Sequence, residues 1–314
     1  MTPPTILAAT WSDGLFSVRG ETARQELAGQ CVRSLTSDGW GGVIAVVDGH
    51  LLCRRTSDCE WTTITHSTFD LSCCIALRNA IFVGTDDAQI LRVDPGGAVQ
   101  RLTGFDAVEG RADWYAGSAL VEGKLIGPPL GIRSMAATCD GAALLANVHV
   151  GGAPRSIDGG LTWRPTIDID SDLHQVCAHP TRPELVIAAA GAGLCISRDA
   201  GATWTVERRG LHAPHCSAVA FGQADIFVSA ATDPFAAQGA VYRRPIDGNG
   251  PLQPLDGGMP RWIDGGADTD CIAARDETVA VIDRRGRLYL SLDNGESWSA
   301  AADRLPVPSG LHIC

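Results

Sequence analysis

The 314-residue sequence predicts an all-β fold, a seven-bladed β-propeller that takes residues 1–314 as one domain. Three observations carry this. An octapeptide recurs three times, short apolar runs recur at blade spacing, and each chain end supplies the half-blade that the other lacks.

The octapeptide is Ser156-Ile-Asp-Gly-Gly-Leu-Thr-Trp163, Ser197-Arg-Asp-Ala-Gly-Ala-Thr-Trp204 and Ser291-Leu-Asp-Asn-Gly-Glu-Ser-Trp298, each of the form S-x-D-x-G-x-[ST]-W. Its chemistry is local. A carboxylate accepts backbone N–H groups across a tight turn, glycine adopts a conformation that other residues resist, and tryptophan anchors the turn on apolar surface. The motif is therefore expected to staple two outer strands and supplies no catalytic candidate. The first two copies start 41 residues apart, the length of one four-stranded blade. The second and third start 94 apart, which leaves room for a blade with a degenerate copy, Arg243 to Gly250, keeping Asp247 and Gly250. Thr56-Ser-Asp-Cys-Glu-Trp61 and Asp94-Pro-Gly96 are weaker remnants upstream.

Six β-rich apolar runs bounded by turn residues mark the second strands of six blades: 43–47, 81–85, 144–150, 185–190, 226–230 and 278–282. A smaller, apolar inner strand precedes each. Ile6-Leu-Ala-Ala-Thr-Trp11 reads as a second strand with no first strand before it, and Gly310-Leu-His-Ile-Cys314 as a first strand with nothing after it. Joining them completes a seventh blade and protects the sheet edges.

Composition narrows the function classes. The net charge is −11, from 25 Lys and Arg against 36 Asp and Glu, and no basic stripe is present, which argues against a nucleic-acid partner. The N-terminus shows no signal-peptide pattern and no run is long enough to span a membrane, so a cytoplasmic monomer without membrane association is expected. Eleven scattered cysteines with no CxxC pair fit reduced thiols. No phosphate-binding glycine loop or dinucleotide fingerprint occurs, so no nucleotide cofactor is expected, and no G-x-S-x-G elbow suggests a serine hydrolase.

The octapeptide is similar to the Asp box, or BNR repeat, and the chain resembles bacterial WD40/YVTN/BNR-like repeat propeller proteins, a group with a sialidase-like fold and no settled activity. The resemblance runs from about Gly127 to the C-terminus. It is most specific between Arg133 and Pro180, through Asn147-Val-His-Val-Gly-Gly and Asp168-Ile-Asp-Ser-Asp-Leu-His174. It implies that ligands bind on the face opposite the boxes. In an antiparallel blade that face carries the start of the first strand and the end of the second.

The residues expected at the first-strand starts are Arg133, His174, His215, Asp270 and His312, with His149 at the end of a second strand beside them. The leading expectation is a His-lined pocket at the channel mouth that binds a small molecule and holds a divalent transition metal for hydrolytic, lyase or redox chemistry. His149, His174, His215 and His312 are the candidate metal ligands, and Arg133, His174 and Asp270 the candidate catalytic residues. Imidazole suits several metals, so the metal's identity stays open. The long connection from Gly104 to Ile132, which includes Gly127-Pro-Pro-Leu-Gly131, should overhang this rim. Its Trp114 and Tyr115, with Arg133, are the candidate substrate-binding residues, although both aromatics could equally pack the loop down.

Two alternatives stand beside this. A non-catalytic module would use the same rim to bind a protein partner, as propellers related to photosystem assembly factors do; the sequence leaves open whether the chain is an enzyme. A sialidase-like glycoside hydrolase would need an arginine triad, a Tyr–Glu pair and an acidic residue. The fit is poor, because Tyr242 and Tyr289 fall in third strands approaching the box turns, the Phe-Arg-Ile-Pro motif is absent, and only Arg133 can be placed at an inner-strand start.

Overall fold

The structure, a computed structural model, describes residues 3–117, 119–121, 124–126 and 129–314. Gly127 and Pro128 of the long connection, and Met1 and Thr2, lie outside them. The fold is all-β, with seven small antiparallel sheets that form the blades of a seven-bladed β-propeller. Contacts divide the chain into two compact units. One comprises Met1–Leu35, Ala189–Leu194 and Val206–Cys314, and the other Thr36–Ala188 and Cys195–Thr205.

In the first unit, blade 1 joins the chain ends. Pro308–Ile313 pairs with Ile6–Thr10, followed by Leu15–Arg19 and Thr22–Glu26. Leu7 lies opposite His312, and the Cys314 amide donates to the Thr5 carbonyl at 3.0 Å. Blade 6 is His215–Phe221, Asp225–Ala231, Gln238–Pro245 and Gln253–Pro254, with Ile263–Asp264 also on its third strand. Blade 7 is Ile272–Arg275, Thr278–Ile282, Leu288–Ser291 and Ser299–Ala302.

In the second unit, blade 3 is Leu71–Leu77, Ala80–Thr85, Ile90–Val93 and Val99–Arg101. Blade 4 is Ile132–Ala137, Leu144–Val148 and Arg155–Ser156, with an Arg155–Arg164 bridge where a fourth strand would run. Blade 2 (Val32–Ser37, Val43–Val47, Leu51–Arg55, Trp61–His66) and blade 5 (Leu173–Ala178, Val186–Ala190, Gly193–Ser197, Thr205–Glu207) complete the seven. A separate hairpin, Ala119–Val121 with Lys124–Ile126, sits in the long connection. Second strands such as Val43–Val47, Leu144–Val148 and Val186–Ala190 are buried at every position, which is why they read as unbroken apolar runs.

The three octapeptides share one turn. Asp158 Oδ1 accepts the Thr162 amide at 2.9 Å and the Ser156 hydroxyl at 2.8 Å, while the Gly160 amide donates to Ser156 Oγ at 2.9 Å. Asp199 and Asp293 repeat this with Thr203 and Ser297. The residue after each Asp and the glycine after that are both left-handed: Gly159 and Gly160, Ala200 and Gly201, Asn294 and Gly295. The glycine also presses on the preceding blade. A Cβ on Gly201 would stand 2.3 Å from Leu145 Cδ2, and one on Gly295 would stand 2.8 Å from Phe227 Cε1. The turn thus pins one blade to the blade before it, in addition to joining its own strands.

No disulfide joins the cysteines among the described residues. No helix among the described residues is long and apolar enough to cross a membrane.

Candidate functional site

A bulge recurs near the start of the first strand. In blade 3 the register slips between Leu71 and Cys73, in blade 6 between Cys216 and Ala218, and in blade 1 opposite Ala9 and Thr10. Each bulge places a serine. Ser72 Oγ donates to the Ile132 carbonyl at 2.6 Å, Ser217 Oγ to the Ala267 carbonyl at 2.6 Å, and Ser309 Oγ to the Val32 carbonyl. Bulges re-aim side chains, and here they turn a small hydroxyl onto a neighbouring segment. In blade 4 the slip falls between Ile132 and Ser134, so the bulged residue is Arg133. In blade 5 the second residue of the first strand is His174. These two blades carry chemistry-bearing side chains where three others carry serine.

His149 follows the second strand of blade 4, its amide bonded to the Gly131 carbonyl at 3.2 Å. The connection into blade 5 closes on a short 3-10 turn, Ile169–Ser171, opened by Asp168, whose carboxylate accepts the Asp170 amide. Asp172 ends that turn in the left-handed region, φ 52°, which aspartate tolerates better than most residues. Its carboxylate spans two imidazoles: Oδ1 lies 3.5 Å from His149 Nε2 and Oδ2 lies 3.3 Å from His174 Nε2. The two rings stand 5.9 Å apart between centroids, and the three donor atoms all lie within 4.8 Å of one another. Both histidine side chains are buried, at 8% and 5% exposure, while Asp172 is 40% exposed. Arg133 Nη1 approaches His149 Nε2 to 3.4 Å.

The long connection reaches this cluster. Tyr115 forms an isolated bridge with Val150, next to His149, and its side chain is exposed. Gly117 lies against the His149 ring so closely that a Cβ there would stand 1.9 Å from Cε1.

The structure redistributes the expected residues. Arg133, His149 and His174 come together with Asp172, which the sequence reading did not select. Asp172 had two visible signals: its place two residues before His174 and its membership of an aspartate-rich turn. Among the described residues, the group of donors close enough to share one ion is His149, Asp172 and His174; His215 and His312 are not in it. His312 is a correction. The first strand of blade 1 begins at Pro308, so His312 lies near its far end, beside the start of Ile6–Thr10, and the bulged residue near the strand start is Ser309. Burial, with the Arg275 charge in second place, pushes its imidazole down to about 4. His215 starts the first strand of blade 6, opposite Ala231, but the bulge position there belongs to Ser217. Asp270 precedes the first strand of blade 7 in the left-handed region, φ 60°, with its carbonyl accepting the Leu311 amide at 2.8 Å. Asp270 and His215 belong to the first unit; Arg133, His149, Asp172 and His174 belong to the second.

Of the two alternatives open for Trp114, its surroundings match packing. It is 7% exposed, lies 5.6 Å from the Phe105 ring and is covered by the Arg111 guanidinium at 4.9 Å. A ring so enclosed packs the loop and has no face for a ligand.

No family model matches the chain, and no curated protein matches it. Solved structures do. The GH74 enzyme of Niastella koreensis superposes with a TM-score of 0.57 at 13% identity, over 93% of this chain and 46% of that one. A GH74 xyloglucanase from Xanthomonas campestris superposes with a TM-score of 0.57 at 17% identity, over 95% of this chain and 47% of that one. The chain spans about half the length of these structures. At such identities the likeness establishes the fold alone.

Proposed function

We propose that His149, Asp172 and His174 hold a divalent transition metal, and that with Arg133 they act on a small molecule through hydrolytic or lyase chemistry. The observation that carries this reading is the convergence of two buried imidazole nitrogens and one carboxylate within 4.8 Å. Donors bound at about 2.0–2.1 Å around a tetrahedral ion stand roughly 3.3 Å apart. The two His–Asp separations, 3.3 and 3.5 Å, already match that spacing. Two histidines with one carboxylate are a ligand set that leaves coordination positions open for substrate. When bound, such an ion polarises an oxygen of the substrate or activates water.

The protein's own groups supply the rest. Asp172 faces the Nε2 atoms of both rings, at 3.5 and 3.3 Å. Arg133, placed by its bulge, brings a fixed positive charge to the same point, suited to a substrate that carries or develops negative charge. Tyr115 is the aromatic of the long connection with ring surface left to meet a ligand. We read the three octapeptide turns as Asp boxes with a purely structural role. The glycoside-hydrolase reading rests on fold likeness, and function has to be argued from the site.

The test is a cobalt(II) and zinc(II) titration of chelator-treated protein, followed by absorption and calorimetry. One ion per chain is expected, with binding lost in Asp172→Asn and His174→Ala. Equal binding by the wild type and both variants, or no binding at millimolar metal, would overturn the reading.

A further inference from the structure

The wall between blades 4 and 5 continues below the histidines. Along the second strand of blade 4, Leu144, Ala146 and Val148 pack in one core with Ile132 and Trp114, so the alternate residues face the other way, toward blade 5. Leu145 lies against the Gly201 turn, and His149 faces His174. Asn147, between them, shares that side. Its Nδ2 lies 3.4 Å from Ser134 Oγ, and the same hydroxyl accepts the Val176 amide of blade 5 at 2.9 Å. Asn147 precedes His149 by two residues, and Val176 follows His174 by two. Asn147 therefore sits one layer beneath the two imidazoles.

Other blades fill this position differently. Opposite the residue that follows the bulge, blade 3 has Gly84, paired with Cys73, and blade 6 has Ser229, paired with Ala218. Ser229 Oγ is satisfied by the Ala267 amide at 3.0 Å. Blade 4 has Asn147, paired with Ser134. Asn147 is fully buried, and its Oδ1 has no hydrogen-bond partner among the described residues. Burying a polar atom unpaired is costly, and an apolar side chain of the same size would fill the space without that cost. Ser134 can accept from Nδ2 or, with the amide turned over, donate its own proton to Oδ1. In both arrangements one end of the carboxamide is anchored and the other is open, as an acceptor in the first and a donor in the second.

We infer that the open end of Asn147 hydrogen-bonds the oxygen-bearing ligand, water or substrate, held at His149, Asp172 and His174. The inference rests on the metal reading above and adds a binding residue to it. Arg133 brings a fixed charge from the rim, and Asn147 a neutral group from the buried side that can give or take a hydrogen bond. A substrate that presents a carboxylate or carbonyl oxygen matches this pair.

The test uses the intact cobalt(II)-loaded protein with acetate as the probe, followed by visible absorption, for the wild type, Asn147→Leu and Asn147→Ala. Thermal unfolding of each metal-free chain runs beside it. Both variants are expected to bind cobalt(II) as the wild type does and to lose at least about tenfold in acetate affinity, as befits one hydrogen bond to a charged group. Metal-free Asn147→Leu should melt no lower than the wild type, because it gives up one long hydrogen bond together with an unsatisfied atom. Wild-type acetate affinity in both variants would overturn the inference, as would a wild type that binds cobalt(II) but not acetate. Loss of folding or of cobalt(II) binding in both variants would overturn it too, by marking Asn147 as a structural strut. A wild type that binds no cobalt(II) overturns the metal reading itself, an outcome read before any variant is compared.

Discussion

Replacing Gly117 by alanine should disable the proposed metal site without substituting any of the proposed ligands. The added Cβ would stand 1.9 Å from His149 Cε1 and 2.2 Å from Nδ1, where ordinary contact begins at 3.4 Å. Relief therefore needs about 1.5 Å of movement, whereas metal–ligand distances tolerate about 0.2 Å. If the ring moves, Nε2 leaves its position 3.5 Å from the Asp172 carboxylate. Disturbing the groups that orient a metal ligand costs roughly 10–100-fold in affinity, so cobalt(II) affinity should fall by about that factor. Gly117 is exposed and outside the left-handed region, so alanine suits its backbone and the far-UV spectrum should not change. The assay is the visible absorption of the cobalt(II) form against metal concentration, with thermal unfolding as the control for folding. A variant that titrates like wild type would show that the loop gives way instead of the ring, and would refute the reasoning.

Other predictions concern stability. Glu207 accepts the Arg208 and Arg209 amides at 2.9 Å and pairs with Arg209 at 2.6 Å and buried Arg244 at 3.0 Å. Its carboxyl sits at about 2 against an ordinary 4.5, chiefly through the Arg209 side chain. At 1.36 kcal/mol per unit the displacement amounts to about 3 kcal/mol, reduced to about 2 because Arg209 is largely exposed and screened. Because the folded value is depressed, this contribution is full above about 4.5 and is lost as pH falls through about 2. Urea unfolding should show Glu207→Gln weaker at pH 7, with the gap closing toward pH 2; a gap unchanged with pH would contradict the assignment. Gly201→Ala meets both a left-handed φ of 81° and Leu145 at 2.3 Å, and should cost about 3 kcal/mol. Gly159→Ala, at φ 72° with open space around it, should cost about 1 kcal/mol by the same measurement. Trp114→Ala should lower stability by about 3–5 kcal/mol by emptying the space beside Phe105 and Gly151.

Features that depend on contiguous residues were legible. The Ser-x-Asp-x-Gly turns could be read because donor, acceptor and glycine lie within eight positions. Blade closure by the termini could be read because Ile6–Thr10 and Pro308–Ile313 each look like half of a unit. The site was legible only in part. Arg133, His149 and His174 were selected, but so were His215 and His312, because the first strands were aligned without bulges. A single extra residue reverses which face a side chain takes. His215 does open the first strand of blade 6, but the bulge position there is Ser217, and in blade 1 it is Ser309, three residues before His312.

By itself the sequence determined the turn chemistry, the buried second strands and hence the number of blades, since hydrogen bonding within a turn and an unbroken apolar run are written in neighbouring residues. The tertiary structure alone decided that Asp172 bridges His149 and His174, that Gly117 backs the ring of His149, and that Trp114 is packing. Each of these rests on a register slip, a left-handed residue or a contact between segments many residues apart, and none leaves a periodic trace in the chain.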